Sequence, residues 1–375
     1  MISPIFQSLA MLMLGAPPLA KTTADGFAVP QPGHEFQFPK DHGAHPDFRI
    51  EWWYVTGHLF NGERKRYGFQ ATFFRRAGLT KDPVPAKDGF AASPVYLAHM
   101  ALLDAASGRF LHQERINRAG WDAASSPDTL DLRNGNWSLR FAKEPTVPDA
   151  MELRGSIRGD ASFTLTLTPR KPLVIFGDKG VSRKGESETA ASYYLTWPRL
   201  EVNGMLQKGA EREAVTGSAW MDHEISSGQL SPGQKGWDWA CLQLDDGREI
   251  MAYRMRLADG GTDAFSTLAW IDKEGRLKHI TPGPFRWETL GTWTSPQTKA
   301  IYPVEVKITS PDPASGQPVS FTLEPLAKEQ ELSGALGGVT YWEGACRVRD
   351  VAGKECGRAF LELTGYTGDL GARLR

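Results

Sequence analysis

The chain has 375 residues and a formal net charge of −1, so its overall charge recruits neither nucleic acid nor an anionic membrane surface. Its 39 glycines and 25 prolines suit many short strands joined by tight turns better than long helices. An aromatic content of 10% is enough for two cores and a lined cavity besides.

The first 20 residues run from an apolar core, Ile5 to Leu14, into Gly15-Ala16-Pro17-Pro18-Leu19-Ala20. This is the layout of a secretory signal peptide, too short to span a bilayer and with no cysteine after it for lipidation. It predicts a secreted or periplasmic protein whose mature chain begins near Lys21. Residues 21–47 are rich in proline, glycine and histidine and read as an extended lead-in. His42 and His45, with Asp41 and Asp47 nearby, have the residue types of a metal site. On a Gly/Pro loop that spacing is weakly diagnostic, and hydrogen-bonded imidazoles closing one barrel end are the simpler expectation. No metal is expected.

Strands are predicted over 50–59, 67–75, 95–103, 109–115, 129–132, 137–141, 151–157 and 162–168. The first contains Glu51-Trp52-Trp53-Tyr54-Val55-Thr56-Gly57-His58-Leu59. With a period of two, Trp52, Tyr54, Thr56 and His58 share one face, and Glu51, Trp53, Val55 and Leu59 the other. Neither face is plainly apolar, which suits a strand packed on one side and lining a mixed cavity on the other. A core strand is the plainer alternative. Residues 177–190 are polar and predict a loop, and the stretch from Tyr193 resumes strand character with a turn expected at Asn203-Gly204.

A second tryptophan-bearing strand, Gly236-Trp237-Asp238-Trp239, begins roughly 185 residues after the first. Both strands lead into an Asn-Gly or Asp-Gly turn (Asn61-Gly62, Asp246-Gly247) and a second strand ending in arginine. The repeat predicts two similar domains, 48–225 and 226–375. Cys346 and Cys356 bracket a hairpin turning near Ala352-Gly353 and are expected to form a disulfide in an oxidising compartment. Cys241 reads as a small buried hydrophobe.

Several segments together resemble a known family. Phe38-Pro39-Lys40-Asp41-His42-Gly43-Ala44-His45-Pro46 runs into Glu51-Trp52-Trp53-Tyr54-Val55-Thr56-Gly57-His58. Tyr194-Leu195-Thr196-Trp197-Pro198, Ser218 to Glu224, Gly236 to Trp239 and Leu361 to Tyr366 follow. The chain resembles the AttH / carotenoid hydratase (CrtC) lipocalin-like family over nearly all of its mature length. The resemblance implies an all-β fold of two tandem lipocalin-like antiparallel β-barrels. It also implies a secreted hydrolase or an AttH component accompanying an ABC transporter. Where the carotenoid hydratases have a tryptophan after their Asp-His pair, this chain has Glu224 and then Ile225. Where they have an acidic residue near a later tyrosine, it has Tyr253-Arg254-Met255.

The candidate catalytic groups are Asp222 and His223, assisted by Glu51 and Tyr253, because a carboxylate and an imidazole in a partly dry site serve as general acid and base. Trp52, Trp53, Tyr54, His58, His99, Trp197, Trp237 and Trp239 are the candidate ligand-binding residues. No P-loop, Gly-x-Gly-x-x-Gly or Gly-x-Ser-x-Gly motif is present, so no cofactor and no nucleic-acid partner are expected. Two functions stay open. One is a hydratase- or hydrolase-like enzyme acting on an apolar isoprenoid or lipid. The other is a non-catalytic periplasmic carrier of a hydrophobic small molecule for an ABC transporter.

Overall fold

The computed structural model describes residues 17–78, 94–120, 122–280, 285–334, 339–368 and 370. The signal peptide expected over 1–20 therefore lies, apart from 17–20, outside the described residues. A single 3-10 turn, Lys40–His42, precedes the strands. The first sheet holds β1 (Ile50–Asn61), β2 (Arg66–Arg76), β3 (Val95–Asp104), β4 (Arg109–Arg118), β5 (Ala123–Ser125), β6 (Asp131–Asn134), β7 (Trp137–Phe141), β8 (Met151–Ile157), β9 (Ala161–Pro169), β10 (Val174–Phe176), β11 (Ser182–Arg183), β12 (Ala191–Lys208) and β13 (Glu211–Gly228). The second holds β14 (Gln234–Leu244), β15 (Glu249–Leu257), β16 (Thr267–Ile271), β17 (Leu277–Ile280), β18 (Arg286–Thr294), β19 (Ile301–Pro311), β20 (Pro318–Pro325), β21 (Glu331–Ser333), β22 (Thr340–Arg349) and β23 (Glu355–Leu363).

The two sheets share one plan. The first runs β4-β3-β2-β1-β13-β12-β9-β8-β7-β6-β5, and the second β17-β16-β15-β14-β23-β22-β20-β19-β18. Each sets its first strand beside its last, antiparallel, β1 against β13 and β14 against β23. In the first, β3 and β4 pack across onto β6 and β8, so the sheet curls nearly closed. The protein is all-β, with two tandem lipocalin-like barrels.

Three apolar cores follow from strand alternation. Trp53, Val55, Leu59, Trp137 and Trp197 point into the first barrel. Leu242, Trp270, Tyr302 and Trp342 fill the second. A third core lies between the barrels, where Tyr54, Tyr194 and Trp220 meet Trp239, Tyr253 and Phe360. Both faces of β1 are thus buried, which is why its sequence lacks a clean apolar/polar alternation. Polar clamps fix the barrels together. Lys171 Nζ donates to Glu249 Oε2 at 2.5 Å, and Arg199 Nε to Glu249 Oε1 at 2.5 Å. Gln243 Nε2 donates to the Pro198 and Ala219 carbonyls, both at 2.8 Å.

Three expectations need correction. The turn at Asn203-Gly204 is absent, because β12 continues to Lys208 with Gly204 paired to Leu165. The glycine is there for close approach, since a Cβ at 204 would lie 2.2 Å from the Thr164 carbonyl oxygen. Gly204→Ala should therefore cost ~1–3 kcal/mol through overpacking. At roughly 2–4 °C per kcal/mol this is readable in a thermal melt, and an unchanged midpoint would contradict the register. The segment 177–190 holds β11 and a buried Lys184 rather than only a polar loop.

The Cys346–Cys356 disulfide is the third correction, for all three cysteines are free. Cys346 faces Ala359 across the hairpin, whereas Cys356 sits at the irregularity beside Val348 and Arg349. More than two residues of strand, about 8 Å, separate them along the hairpin, beyond disulfide reach. Titration of the unfolded, unreduced protein should find three thiols; a single titrating thiol would restore the disulfide.

Candidate active site

A cavity of about 1040 Å³ opens between the barrels. The period of two on β1 sends Trp52 and Tyr54 into it, while Trp53 turns back into the first barrel. Phe74 from β2, Trp237 and Trp239 from β14, Tyr253 from β15 and Tyr341 from β22 add to its aromatic lining. Polar side chains converge among these rings from β12, β13 and β23, namely Tyr194, Asp222, Glu224 and Glu362. Lys184, just beyond β11, joins them.

Asp222 is 3% exposed and accepts three hydrogen bonds. Tyr194 donates to Oδ2 at 2.6 Å, and Thr196 Oγ1 and Trp220 Nε1 donate to Oδ1 at 2.5 and 2.7 Å. Trp239 Nε1 donates in turn to the Tyr194 hydroxyl at 2.9 Å, linking the second barrel to the carboxyl. Burial raises the Asp222 pKa to about 7 despite these donors, and the Glu224 charge adds to the rise.

Glu224 has its own partners. Ser192 donates to its Oε2 at 2.5 Å, and the buried Lys184 ammonium lies 3.1 Å from the same atom. That ammonium stands 4.5 and 4.4 Å from the ring centroids of Tyr194 and Tyr253, a cation–π arrangement on both sides. Glu362 accepts from Trp237 Nε1 at 2.7 Å, and burial first, then the Glu224 and Asp222 charges, raise it to about 7 as well. Behind it, Glu343 accepts from the Tyr54 hydroxyl and is raised by burial and by Glu362. Several carboxyls in one poorly solvated space cannot all ionise, so the site stores protons near neutrality.

The second half of the expected machinery lies on the other side of the wall. Asp222 and His223 are consecutive on β13, so their side chains leave opposite faces. Glu51 pairs with Ile225 and Trp53 with His223 across β1 and β13. Inside the first barrel, Glu51 is fully buried, and His45 Nδ1 and His223 Nε2 both donate to its Oε1, at 2.7 and 2.9 Å. Arg75 Nε donates to Oε2 at 3.0 Å, and Asp41 Oδ1 faces His45 Nε2 at 3.2 Å. Burial works against ionising Glu51, but the two imidazoles and Arg75 outweigh it and hold the carboxyl below its usual range. Burial works likewise against His45, yet two flanking carboxylates raise it. His223, stacked on Trp53 at 4.6 Å, is lowered by burial.

Ligand atoms of His45, Glu51 and His223 lie within 4.8 Å of one another, close enough to hold a metal ion. The spacing to Glu51 is that of hydrogen bonds, however, and the Arg75 guanidinium occupies the same carboxylate. His42 does not join His45; it stacks on Trp197 at 4.6 Å and on Phe38 at 4.3 Å.

Of the four candidate catalytic residues, Asp222 and Tyr253 therefore line the cavity, and Glu51 and His223 do not. Of the candidate ligand-binding residues, Trp52, Tyr54, Trp237 and Trp239 line it. Trp53 and Trp197 are first-barrel core. His58 meets the Ala359 carbonyl at 3.0 Å where the barrels touch. His99 sits behind Tyr341, 2.7 Å from its hydroxyl. Tyr194, Lys184, Glu362 and Tyr341 were not anticipated. Counting by two from Asp222 reaches Glu224, and Glu362 stands alone between Leu361 and Leu363; Lys184 has no comparable signal.

The AttH-like family model matches residues 29–366. The chain belongs to the AttH-like family. Among solved structures, this AttH-like chain is similar to a provisionally assigned AttH from Nitrosomonas europaea, with 37% identity and a TM-score of 0.80, over 91% of this chain and 100% of that one. It is similar in fold to kievitone hydratase from Nectria haematococca, with 16% identity and a TM-score of 0.64, over 93% and 97% of the two chains. CghA with Sch210972 follows at 13% identity and a TM-score of 0.52, over 92% and 98%. A comparison with curated proteins gave no match.

Proposed function

We propose that this AttH-like protein is an acid/base enzyme that adds water to, or hydrolyses, an apolar isoprenoid- or lipid-like molecule held between the barrels. The observation that carries the reading is Asp222, a nearly inaccessible carboxyl on an aromatic cavity with a pKa of about 7. A protonated carboxyl there can deliver a proton to a carbon or to a leaving oxygen where bulk water is scarce. The faces of Trp52, Trp237 and Trp239 would then steady the positive charge left on the substrate, by about 0.5–2 kcal/mol each. Kievitone hydratase, similar in fold, is named for the addition of water. The side chains themselves supply the chemistry in this reading, and the protein works outside the cytoplasm.

The alternative is a carrier that hands a hydrophobic ligand to an ABC transporter. The same aromatic lining would serve it, but Asp222, Glu224 and Glu343, three carboxyls buried at or behind one cavity, are a cost a simple carrier does not need. To separate the two, ligand released from the protein purified from its own host is returned to the enzyme in water labelled with heavy oxygen. Incorporation of the label into the product supports the enzyme; recovery of unlabelled, unchanged ligand supports the carrier.

A further inference from the structure

We propose that Tyr341, His99 and Glu114 form a second proton-transfer unit on the cavity wall, acting as the base that complements Asp222; this rests on the acid/base reading above. Tyr341, at the start of β22, lines the same cavity as Asp222. Its hydroxyl is 2.7 Å from His99 Nδ1 on β3, and His99 Nε2 is 3.2 Å from Glu114 Oε2 on β4, directly across the sheet. Because the carboxylate accepts from Nε2–H, the tautomer this pairing selects leaves Nδ1 as the acceptor. The phenol therefore donates to a ring nitrogen whose tautomer is fixed from behind by Glu114. Gln70 Nε2, 2.9 Å away, donates to the same phenol oxygen and holds it in place.

Carboxylate, imidazole and hydroxyl in this order are the arrangement by which proteins activate a hydroxyl. A plain tie between the barrels would need less. His58, another histidine bridging them, meets a backbone carbonyl on one ring nitrogen and the Arg66 guanidinium, not a carboxylate, on the other. Burial keeps the Tyr341 phenol neutral at rest, so its proton leaves only as another arrives.

The balanced step is as follows. A water in the cavity gives one proton to the Tyr341 oxygen while the phenol proton passes to His99 Nδ1. The O–H electron pair released forms the C–O bond at the carbon made electron-deficient when the Asp222 proton joins its neighbour. Asp222 ends as a carboxylate and His99 as an imidazolium facing Glu114. One proton returned from His99 to Asp222 through solvent restores both. Tyr341 is the catalytic residue of the unit; His99 and Glu114 act through it as positioning residues.

The test needs no natural substrate. Naphthalenesulfonyl fluoride, an apolar probe, is offered to the folded full-length protein, and the modified tyrosine is found by peptide mass mapping. Attack by the phenol oxygen forms the S–O bond and expels fluoride, with the proton going to His99. Tyr341 should be labelled in preference to the more accessible, half-buried Tyr96 and Tyr366. His99→Phe, which keeps a ring, should slow that labelling by about 10²-fold, the low end of general-base contributions. Glu114→Gln should also slow it, and Glu114→Asp, which restores the charge, should recover part of the loss. Melting curves and the parallel variant His99→Gln guard against misfolding. No labelling of Tyr341 in the wild type, or equal labelling in the His99 variants, overturns the proposal. Labelling that depends on His99 in a protein that turns over nothing would keep the unit and remove the acid/base reading, so the two failures are distinguishable.

Discussion

Asp222→Asn is expected to slow turnover of the cavity's substrate by ~10²–10⁴-fold, the usual contribution of a general acid, while changing its affinity little. The amide keeps the shape of the carboxyl and can still accept from Thr196 and Trp220 while offering its NH₂ to the Tyr194 oxygen. The cavity wall should therefore survive the change. Wild-type rate should fall as the pH rises through about 7, where Asp222 loses its proton, and the variant should lack that limb. Wild-type stability should fall over the same range. The folded pKa is raised above the unfolded value of 3.8, so the protonated group's contribution is present below that value and is lost as the pH rises through about 7. Above that point the variant is freed from a buried charge and should melt higher than wild type, by the equivalent of about 1–4 kcal/mol. A pH–rate profile and a pair of melting curves check both halves; a variant with full activity would remove Asp222 from the chemistry.

Glu51→Ala is expected to be the most damaging single change to the fold, at about 3–5 kcal/mol. The carboxylate is fully buried and shared by His45, His223 and Arg75. Removing it leaves the Arg75 guanidinium, itself 3% exposed, as a charge in a dry barrel end that faces, among the described residues, the His45 and Phe48 carbonyls. The same cluster sets an acid limit. Because the folded Glu51 pKa is depressed, its contribution is present above the unfolded value of 4.5 and is lost as the pH falls toward the folded one. Denaturant unfolding of wild type and variant measures the difference, and a loss below about 1 kcal/mol would show that the cluster is not holding the barrel end. Apolar ligand affinity of the folded fraction should stay near wild type, since Glu51 lies behind the cavity wall.

Strand positions were largely legible because hydrophobic alternation and Asx-Gly turns are local signals. The expected strands at 137–141 and 151–157 coincide with β7 and β8, and the hairpins at Asn61-Gly62 and Asp246-Gly247 form where the turn chemistry puts them. Gly204 misled because a glycine serves a turn and a close strand approach equally well in sequence. The candidate site was legible only in part, for a related reason. Adjacency in sequence suggested Asp222 and His223 as a working pair, whereas a strand sends neighbours to opposite faces. The tryptophan pair Trp52-Trp53 divides in the same way, one ring to the cavity and one to the core. Tyr194 and Thr196 reach Asp222 by strand pairing, and Trp239 reaches Tyr194 by barrel docking, neither of which a local pattern encodes.

The most direct test of the central claim is to observe the proton on Asp222. Infrared difference spectra of protein labelled with carbon-13 aspartate, taken across neutral pH on wild type and Asp222→Asn, isolate this carboxyl. The account predicts a protonated carboxylic-acid band in the wild type that titrates near pH 7, shifts when an apolar ligand enters the cavity and is missing from the variant. A wild-type Asp222 that is fully ionised at pH values well below 7 would contradict it.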